Sequence, residues 1–434
     1  MLAGLGVITL LLLIGVSIGL HEIGHLVPAK KFGVKVIDYA IGFGPTVFKR
    51  RRGETEYHIK LIPLGGFIRM IGMYPPAREG QPVRSGRFAD LVEQARETSA
   101  EEIGPGEESR TFYRLPVRKR LVIMCGGPLM NLGLAALLFT IVFSVIGVGA
   151  ASNRIGQLIP CVPTQAEPTG AGSIAGCGDA SVSPAVAAGL KVGDTIVSVD
   201  GVKTPTYADV STALRKHSIG DTVTLEIQNS AGTKTHLVTM ADAVVEQYDE
   251  SGKALGTFEH RPLIGFIPAA ELKPLPISDV PGLMWDMSVN AGKALLVFPQ
   301  KLYQLGHNLF TGQERDPNGP ISVVGVSRLS GEVVASDLEW TMKVQEILGM
   351  AASLNLFLFL FNLVPLLPLD GGHAAAAIAE AVRRQWARLR KKADPGPIDV
   401  ARALPLTYFV SALLLLSGLL VIVADIVAPI SLGY

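Results

Sequence analysis

His21-Glu22-Ile23-Gly24-His25 closes a run from Leu2 to Leu20 that holds no charge. Nineteen uncharged, mostly apolar residues suffice to cross a bilayer as a helix. One helical turn separates His21 from His25, so the two imidazoles face the same way. Two imidazoles at that spacing can hold one zinc ion, with Glu22 beside them to take a proton from water. The competing reading leaves all three side chains solvated at the membrane boundary, since so short a motif recurs by chance. Ionisable groups at membrane depth are expensive, which weighs toward function, and a third ligand at matching depth weighs further.

Around this helix the chain of 434 residues is too long for one ordinary core. Apolar residues make up 48% and charged ones 18%, the balance of a membrane protein with soluble parts. The net charge of +1 says nothing by itself about nucleic acid, and no nucleic-acid partner is expected. Three further stretches, 121–151, 347–369 and 404–430, are apolar enough to span, which gives four transmembrane helices. The first does not read as a cleaved signal peptide, because no Lys or Arg precedes it and no small-x-small site follows it. Lys30, Lys31, Lys35 and the run from Lys49 to Arg52 follow helix one. Arg383, Arg384, Arg388, Arg390, Lys391 and Lys392 precede helix four. The positive-inside rule makes both segments cytoplasmic and puts the N-terminus, the long middle region and Tyr434 outside.

In helix one, Gly15 and Gly19 form a small-x-x-x-small pattern expected to let another helix approach closely. The stretch 41–70 reads as a β-hairpin, with β-prone runs at 46–49 and 57–62 flanking Arg51-Arg52-Gly53-Glu54. It follows the histidine motif closely and could pair with an extended peptide, or be purely structural. Pro75 to Pro116 is polar and reads as a mobile loop. Cys125-Gly126-Gly127-Pro128 is expected to break the start of helix two, and Asn131 to bond across to another helix. Cys125 reads as an inert apolar residue. Leu283 to Phe310 is helical in character and is expected along the outer membrane surface.

The run from Ser183 to Gly201 reads as a short helix, a glycine turn, a strand and a tight turn. A helix at 207–217 and strands at 222–228 and 235–239 follow. This pattern, with A-A-G-L-K-V-G-D at 187–194, resembles a bacterial PDZ domain, a module that captures peptides by strand addition. Cys161 and Cys177 both fall here, on the outer side, and are read as a disulfide or two free thiols. The resulting order is helix one at 1–29, a cytoplasmic loop at 30–117 with the hairpin, and helix two at 118–151. An outer domain at 152–270, an outer amphipathic segment at 271–345 and helix three at 346–380 come next. A basic cytoplasmic loop at 381–403 and helix four at 404–430 complete it.

Helix three ends in Pro365, Pro368, Asp370, Gly371, Gly372 and His373. Irregular backbone at membrane depth is tolerated only where protein or water surrounds it. Asp370 offers a carboxylate, the usual companion of two histidines in an open zinc site. Helix one descends to its histidines and helix three descends to Asp370, so all three ligands reach the cytoplasmic end.

H-E-I-G-H at 21–25, N-L-V-P-L-L-P-L-D-G-G at 362–372 and the PDZ run together resemble the site-2 protease family of intramembrane zinc proteases. The likeness is to the bacterial RseP group and, within it, to the actinobacterial Rip-type proteases. Gly42-Phe43-Gly44-Pro45, Pro63 to Phe67, Gly127-Pro128 with Asn131, and Gly319 to Ser322 add to it. The resemblance implies a polytopic α-helical membrane protein with a cytoplasmic membrane-associated β-hairpin and an extracytoplasmic α+β PDZ domain. It implies Zn2+ held by His21, His25 and Asp370, with Glu22 as catalytic acid and base. Asn362 matches a site asparagine that orients substrate or oxyanion. The implied substrates are single-pass proteins of the bacterial plasma membrane, such as a pre-trimmed anti-sigma factor in a stress response, or remnant signal peptides. The chain departs from the group in showing one PDZ run where two in tandem are common, and in the position of Asn355. A metal transporter and a non-catalytic membrane-tethered PDZ scaffold are the alternatives; only Asp425 lies well inside another helix, as transport would need.

Overall fold

The computed structural model describes residues 2–76, 87–162, 181–248 and 254–430. The chain forms two compact units, one of Met1–Ile146 with Leu275–Tyr434 and one of Gly147–Pro274. Helix α1 (Leu2–Lys31) is the apolar run carried through the histidine motif. It stops at Gly33, where φ is +85°, a conformation that removes other residues from a helix cheaply only when glycine occupies it. Strands β1 (Val36–Arg52) and β2 (Thr55–Met70) pair antiparallel across a turn at Gly53. They run well beyond the β-prone segments visible in the sequence. Repeated register shifts, with Gly42, Gly44 and Gly65 at positive φ, bend the hairpin.

Part of the expected loop at 75–116 is helical, as α2 (Arg87–Glu101), with Val92, Ala95 and Ser99 on its inner face. The rest of that stretch holds short turns, and 77–86 lies outside the described residues. Helix α3 (Val117–Thr140) runs through Gly126, Gly127 and Pro128 without a break and tails into a π-helical turn at Ile141–Ile146. The expected broken start is absent because α1 packs directly on this stretch and supports its backbone.

The second unit contains β3 (Val148–Leu158), α4 (Pro184–Ala187), β4 (Thr195–Val199), β5 (Val202–Lys203) and α5 (Tyr207–Leu214). It continues with β6 (Thr222–Asn229), β7 (Gly232–Thr239), β8 (Ala241–Tyr248), β9 (Ala254–Leu263) and β10 (Phe266–Lys273). The strand order is β10-β3-β4-β6-β7, with β5 on β4, and β8 pairs with β9 separately. Alternate residues Val223, Leu225 and Ile227 of β6 point into a core with Ile155, Ile196 and Val210. Thr206 and Asp209 form a reciprocal capping box at the start of α5. Cys161 is disulfide-bonded, and Cys177 lies outside the described residues.

The first unit resumes with α6 (Val280–Thr311), α7 (Val323–Ala335) and α8 (Trp340–Asn362). Then come α9 (Asp370–Leu389) and α10 (Leu404–Val427). Among the described residues, four helical segments are long and apolar enough to cross a membrane: Leu2–Lys31, Val117–Ile146, Trp340–Asn362 and Val400–Val427. The span expected at 346–380 is not continuous. Pro365 and Pro368 lack amide hydrogens and fix φ, so α8 stops at Asn362 and a new helix starts at Asp370. The basic stretch expected as a loop at 381–403 is helical as far as Leu389.

Glycines set the helix spacing in the membrane unit. A methyl on Gly24 would collide with the carbonyl of Gly126, and one on Gly126 with that of Gly24. Gly6 meets the backbone of Ser330 in α7, whose Oγ donates to the Gly6 carbonyl at 3.0 Å. The Gly15–Gly19 pair expected to receive a helix does not: Gly15 faces open space, and Gly19 is approached by Ile41 and Tyr39 of the hairpin. Asp425 of α10 accepts from the Ser322 amide at 2.7 Å, which caps α7, and pairs with Arg315 at 2.7 Å.

Candidate metal centre

His21 and His25 stand on consecutive turns of α1, and Asp370 is the first residue of α9, where helix N-terminal amides favour a carboxylate. Their ligand atoms converge. The two Nε2 atoms are 3.2 Å apart, and each is 3.3 Å from Oδ2 of Asp370. A tetrahedral zinc site with bonds of about 2.0–2.2 Å needs ligand atoms about 3.3–3.6 Å apart, so this triangle fits one face of such a site. His25 Nδ1 donates to the Ile123 carbonyl of α3 at 2.7 Å, which leaves Nε2 with its lone pair free for a metal. His21 Nδ1 is buried without a partner among the described residues. Glu22 is buried between the histidines in sequence, and Gly66 of β2 lies against its Cγ. The hairpin thus supplies one wall of the site.

Two residues outside the ligand motifs shape this centre. A methyl on Gly127 of α3 would collide with Nε2 of His25 and lie 2.7 Å from that of His21. Glycine is therefore needed for the imidazoles to reach their positions. Tyr39 of β1 donates to the Gly19 carbonyl at 2.7 Å; burial pushes its phenol up to about 12, with the Glu22 carboxylate adding to the effect. The phenol therefore stays a donor across the working range of pH.

Asn362 is the last residue of α8, half-buried, and its side chain makes no hydrogen bond among the described residues. It is not drawn into the His21–His25–Asp370 cluster. Asn355 is fully buried and donates to Ser17 Oγ of α1 at 2.9 Å, a strut between α8 and α1. Asn131 is 1% exposed, yet neither polar atom of its side chain has a partner, contrary to the cross-helix bond expected of it. A buried amide in that condition costs about 1–3 kcal/mol. Cys125 is a free thiol packed at the edge of an apolar cluster.

A second trio, Asp38, Glu56 and His58, also converges in the hairpin. Its carboxylates are already engaged, Asp38 with Arg69 at 2.7 Å and Glu56 with Lys49 at 2.7 Å, so it is an ion network. An apolar cavity of about 1080 Å³ among α6, α7 and α8 includes none of the three converging ligands in its lining.

Comparison with known proteins matches the model of peptidase family M50 over residues 9–394. The chain is 32% identical to "Zinc metalloprotease Rip1" of Mycobacterium tuberculosis over 98% of both chains. It is 33% identical to the protein of that name from Mycolicibacterium smegmatis over 100% of both. It is 25% identical to "Regulator of sigma-W protease RasP" of Bacillus subtilis, over 91% of this chain and 94% of that one. The PDZ domain of an SdrC-like protein from Listeria monocytogenes covers 26% of the chain at 15% identity, with a TM-score of 0.14, too slight to bear on the fold. The full-length match of family and relatives, over a chain whose two histidines and aspartate meet at zinc-ligand spacing, places this protein in peptidase family M50, among the zinc metalloproteases of the site-2 type.

Proposed function

We propose that His21, His25 and Asp370 hold the catalytic zinc and that Glu22 is the acid and base of peptide hydrolysis within the membrane. The observation that carries this is the triangle of two Nε2 atoms and one Oδ2 with sides of 3.2, 3.3 and 3.3 Å. When bound, zinc polarises the peptide carbonyl and lowers the pKa of water to about 7. Glu22, one residue from His21, takes the proton of the attacking water and returns it to the leaving amine. Asn362, free of other hydrogen bonds, orients the substrate backbone.

The substrates are single-span membrane proteins, with a pre-trimmed anti-sigma factor and remnant signal peptides as the two classes, cut in regulated intramembrane proteolysis. A transmembrane helix hides its amides, so the substrate must unwind before attack. The hairpin of β1 and β2 lies against Glu22 through Gly66 and offers backbone groups to an unwound strand. The Lys and Arg bias of the loops supports an active site near the cytoplasmic face, with both termini and the 147–274 unit outside. That unit acts as a PDZ-type filter or as a receiver of a cut end. The cleft of about 520 Å³ beside Tyr207, Ser211, Arg215 and the segment 261–266 that links β9 to β10 is where a peptide would lie.

Glu22→Gln should keep one zinc per chain and lose cleavage of a single-span substrate. Full activity in that variant would remove Glu22 from the chemistry. Deletion of 155–270 should broaden substrate choice, and failure to cut untrimmed substrates would end the filter reading.

A further inference from the structure

The inner face of α3 carries Met124, Gly127, Asn131, Ala135 and Phe139, all buried. Gly127 abuts both zinc-facing nitrogens. Asn131 is the next residue on that face, one turn further along. Side chains on a helix lean toward its N-terminus, so the Asn131 carboxamide is tilted over the turn that contains Gly127. At a comparable place on α1, Ser17 stands one turn before His21, and Asn355 of α8 bonds to it. Asn355 spends its Nδ2 on that bond and leaves only its Oδ1 unpaired, whereas Asn131 keeps both Nδ2 and Oδ1 unpaired among the described residues at 1% exposure. A buried, unpaired amide beside a reaction centre is a preorganised dipole awaiting a charge.

We propose that Asn131 is a catalytic residue, whose Nδ2–H donates to the oxygen of the peptide bond under attack. The proposal rests on the zinc-site reading above. In the step it serves, the oxygen of water bonds to the carbonyl carbon and its proton passes to Glu22. The carbonyl π pair moves onto the peptide oxygen, where the Asn131 N–H receives it. That oxygen then re-forms its double bond as the C–N bond breaks, and Glu22 returns the proton to the amine. Asn131 forms no covalent bond. Its hydrogen bond strengthens only as charge builds, which is what raises kcat. The amide is already desolvated, so no water needs displacing when the substrate arrives.

Asn131→Leu, close in shape, separates this role from helix packing in the full-length protein. The expected result is a melting temperature of the metal-free chain that is equal to or above wild type, because two unpaired dipoles leave the interior. Zinc affinity stays within about twofold, while kcat falls about 10²- to 10³-fold. Binding of a phosphinic peptide that mimics the attacked bond weakens with kcat. Asn131→Ala gives the same split should the leucine pack badly. Retention of kcat within about threefold, in folded and zinc-loaded protein, overturns the proposal. So does a fall in melting temperature and zinc affinity together in both variants, which marks a structural asparagine. Failure of the zinc reading itself is distinct: wild-type protein would then bind no zinc at His21, His25 and Asp370.

Discussion

Gly127→Ala offers the sharpest test of the centre, because its structural consequence falls on the ligands and on little else. The added methyl collides with Nε2 of His25 and sits 2.7 Å from Nε2 of His21. These atoms are ring tips, not backbone, so both imidazoles can swing aside and the helices keep their spacing. Each ring leaves its rotamer at about 0.5–1.5 kcal/mol. Two rings together amount to about 1–3 kcal/mol, or a zinc affinity weaker by about 5- to 150-fold. Helix propensity gains about 1 kcal/mol from the substitution, so the folded chain should not become less stable. Gly133→Ala is the control on the same helix, since no atom lies within 4 Å of its methyl. It should gain the same propensity and leave zinc untouched. Competition against a chromophoric chelator reads the affinity, and thermal melting of the metal-free protein reads the fold. Wild-type zinc affinity in Gly127→Ala would refute the reasoning, because the ligands could not then meet where the structure puts them.

Gly24→Ala makes the opposite kind of clash, with the backbone carbonyl of Gly126, and should destabilise the α1–α3 contact by about 1–3 kcal/mol in a denaturant or thermal melt. Glu380→Ala strips the buried Arg120 of its partner at 2.5 Å, and Arg384 of the same carboxylate, and should lower stability by about 3–5 kcal/mol, with zinc affinity falling as α9 loosens; an unchanged melt would show that this buried ion pair contributes no net stability. Arg110 holds the Glu54 carboxyl below its ordinary range through a paired hydrogen bond, so its contribution is present above about pH 4.3 and is lost as pH falls through the depressed value. Arg110→Ala should return the Glu54 titration, followed by NMR, to near that ordinary value.

Much of the centre is legible in the sequence because its ligands are encoded locally. H-E-x-x-H on one helix brings two nitrogens together whatever the rest of the fold does, and Asp370 is marked by the prolines and glycines that break the helix around it. The four spans follow from apolar length in the same way. The support around the ligands is not local. Gly127 reads as a helix breaker until the histidines are placed opposite it, and Tyr39 has no motif at all. Gly15 and Gly19 follow a pattern for helix packing, yet a strand fills that space, because a spacing rule records that something small is present without naming the neighbour. Helix α2 escaped notice because its apolar residues, Leu91, Val92 and Ala95 among them, give way to a polar Ser99 one turn on, too weak a period to stand out among charges.

The arrangement has a common reference in α3, which contributes no ligand. Its Ile123 carbonyl orients His25, and Gly126 fixes the distance to α1. Gly127 leaves room for both rings, and Arg120 holds α9, with Asp370 at its head, through Glu380. Histidines on one helix and an aspartate on another can share an ion only if both helices are registered against the same third body. Helix α8 leads into Asp370 by chain through seven residues with two prolines, and Gly371 and Gly372 of α9 pack directly on the backbone of 363–367. A displacement of α3 therefore disturbs the histidine side of the triangle through Ile123 and the Asp370 side through Arg120. The glycines at 126 and 127 have the same physical reason, on a helix that carries none of the three converging ligands: one lets the α1 backbone approach and the other leaves room for the two imidazoles.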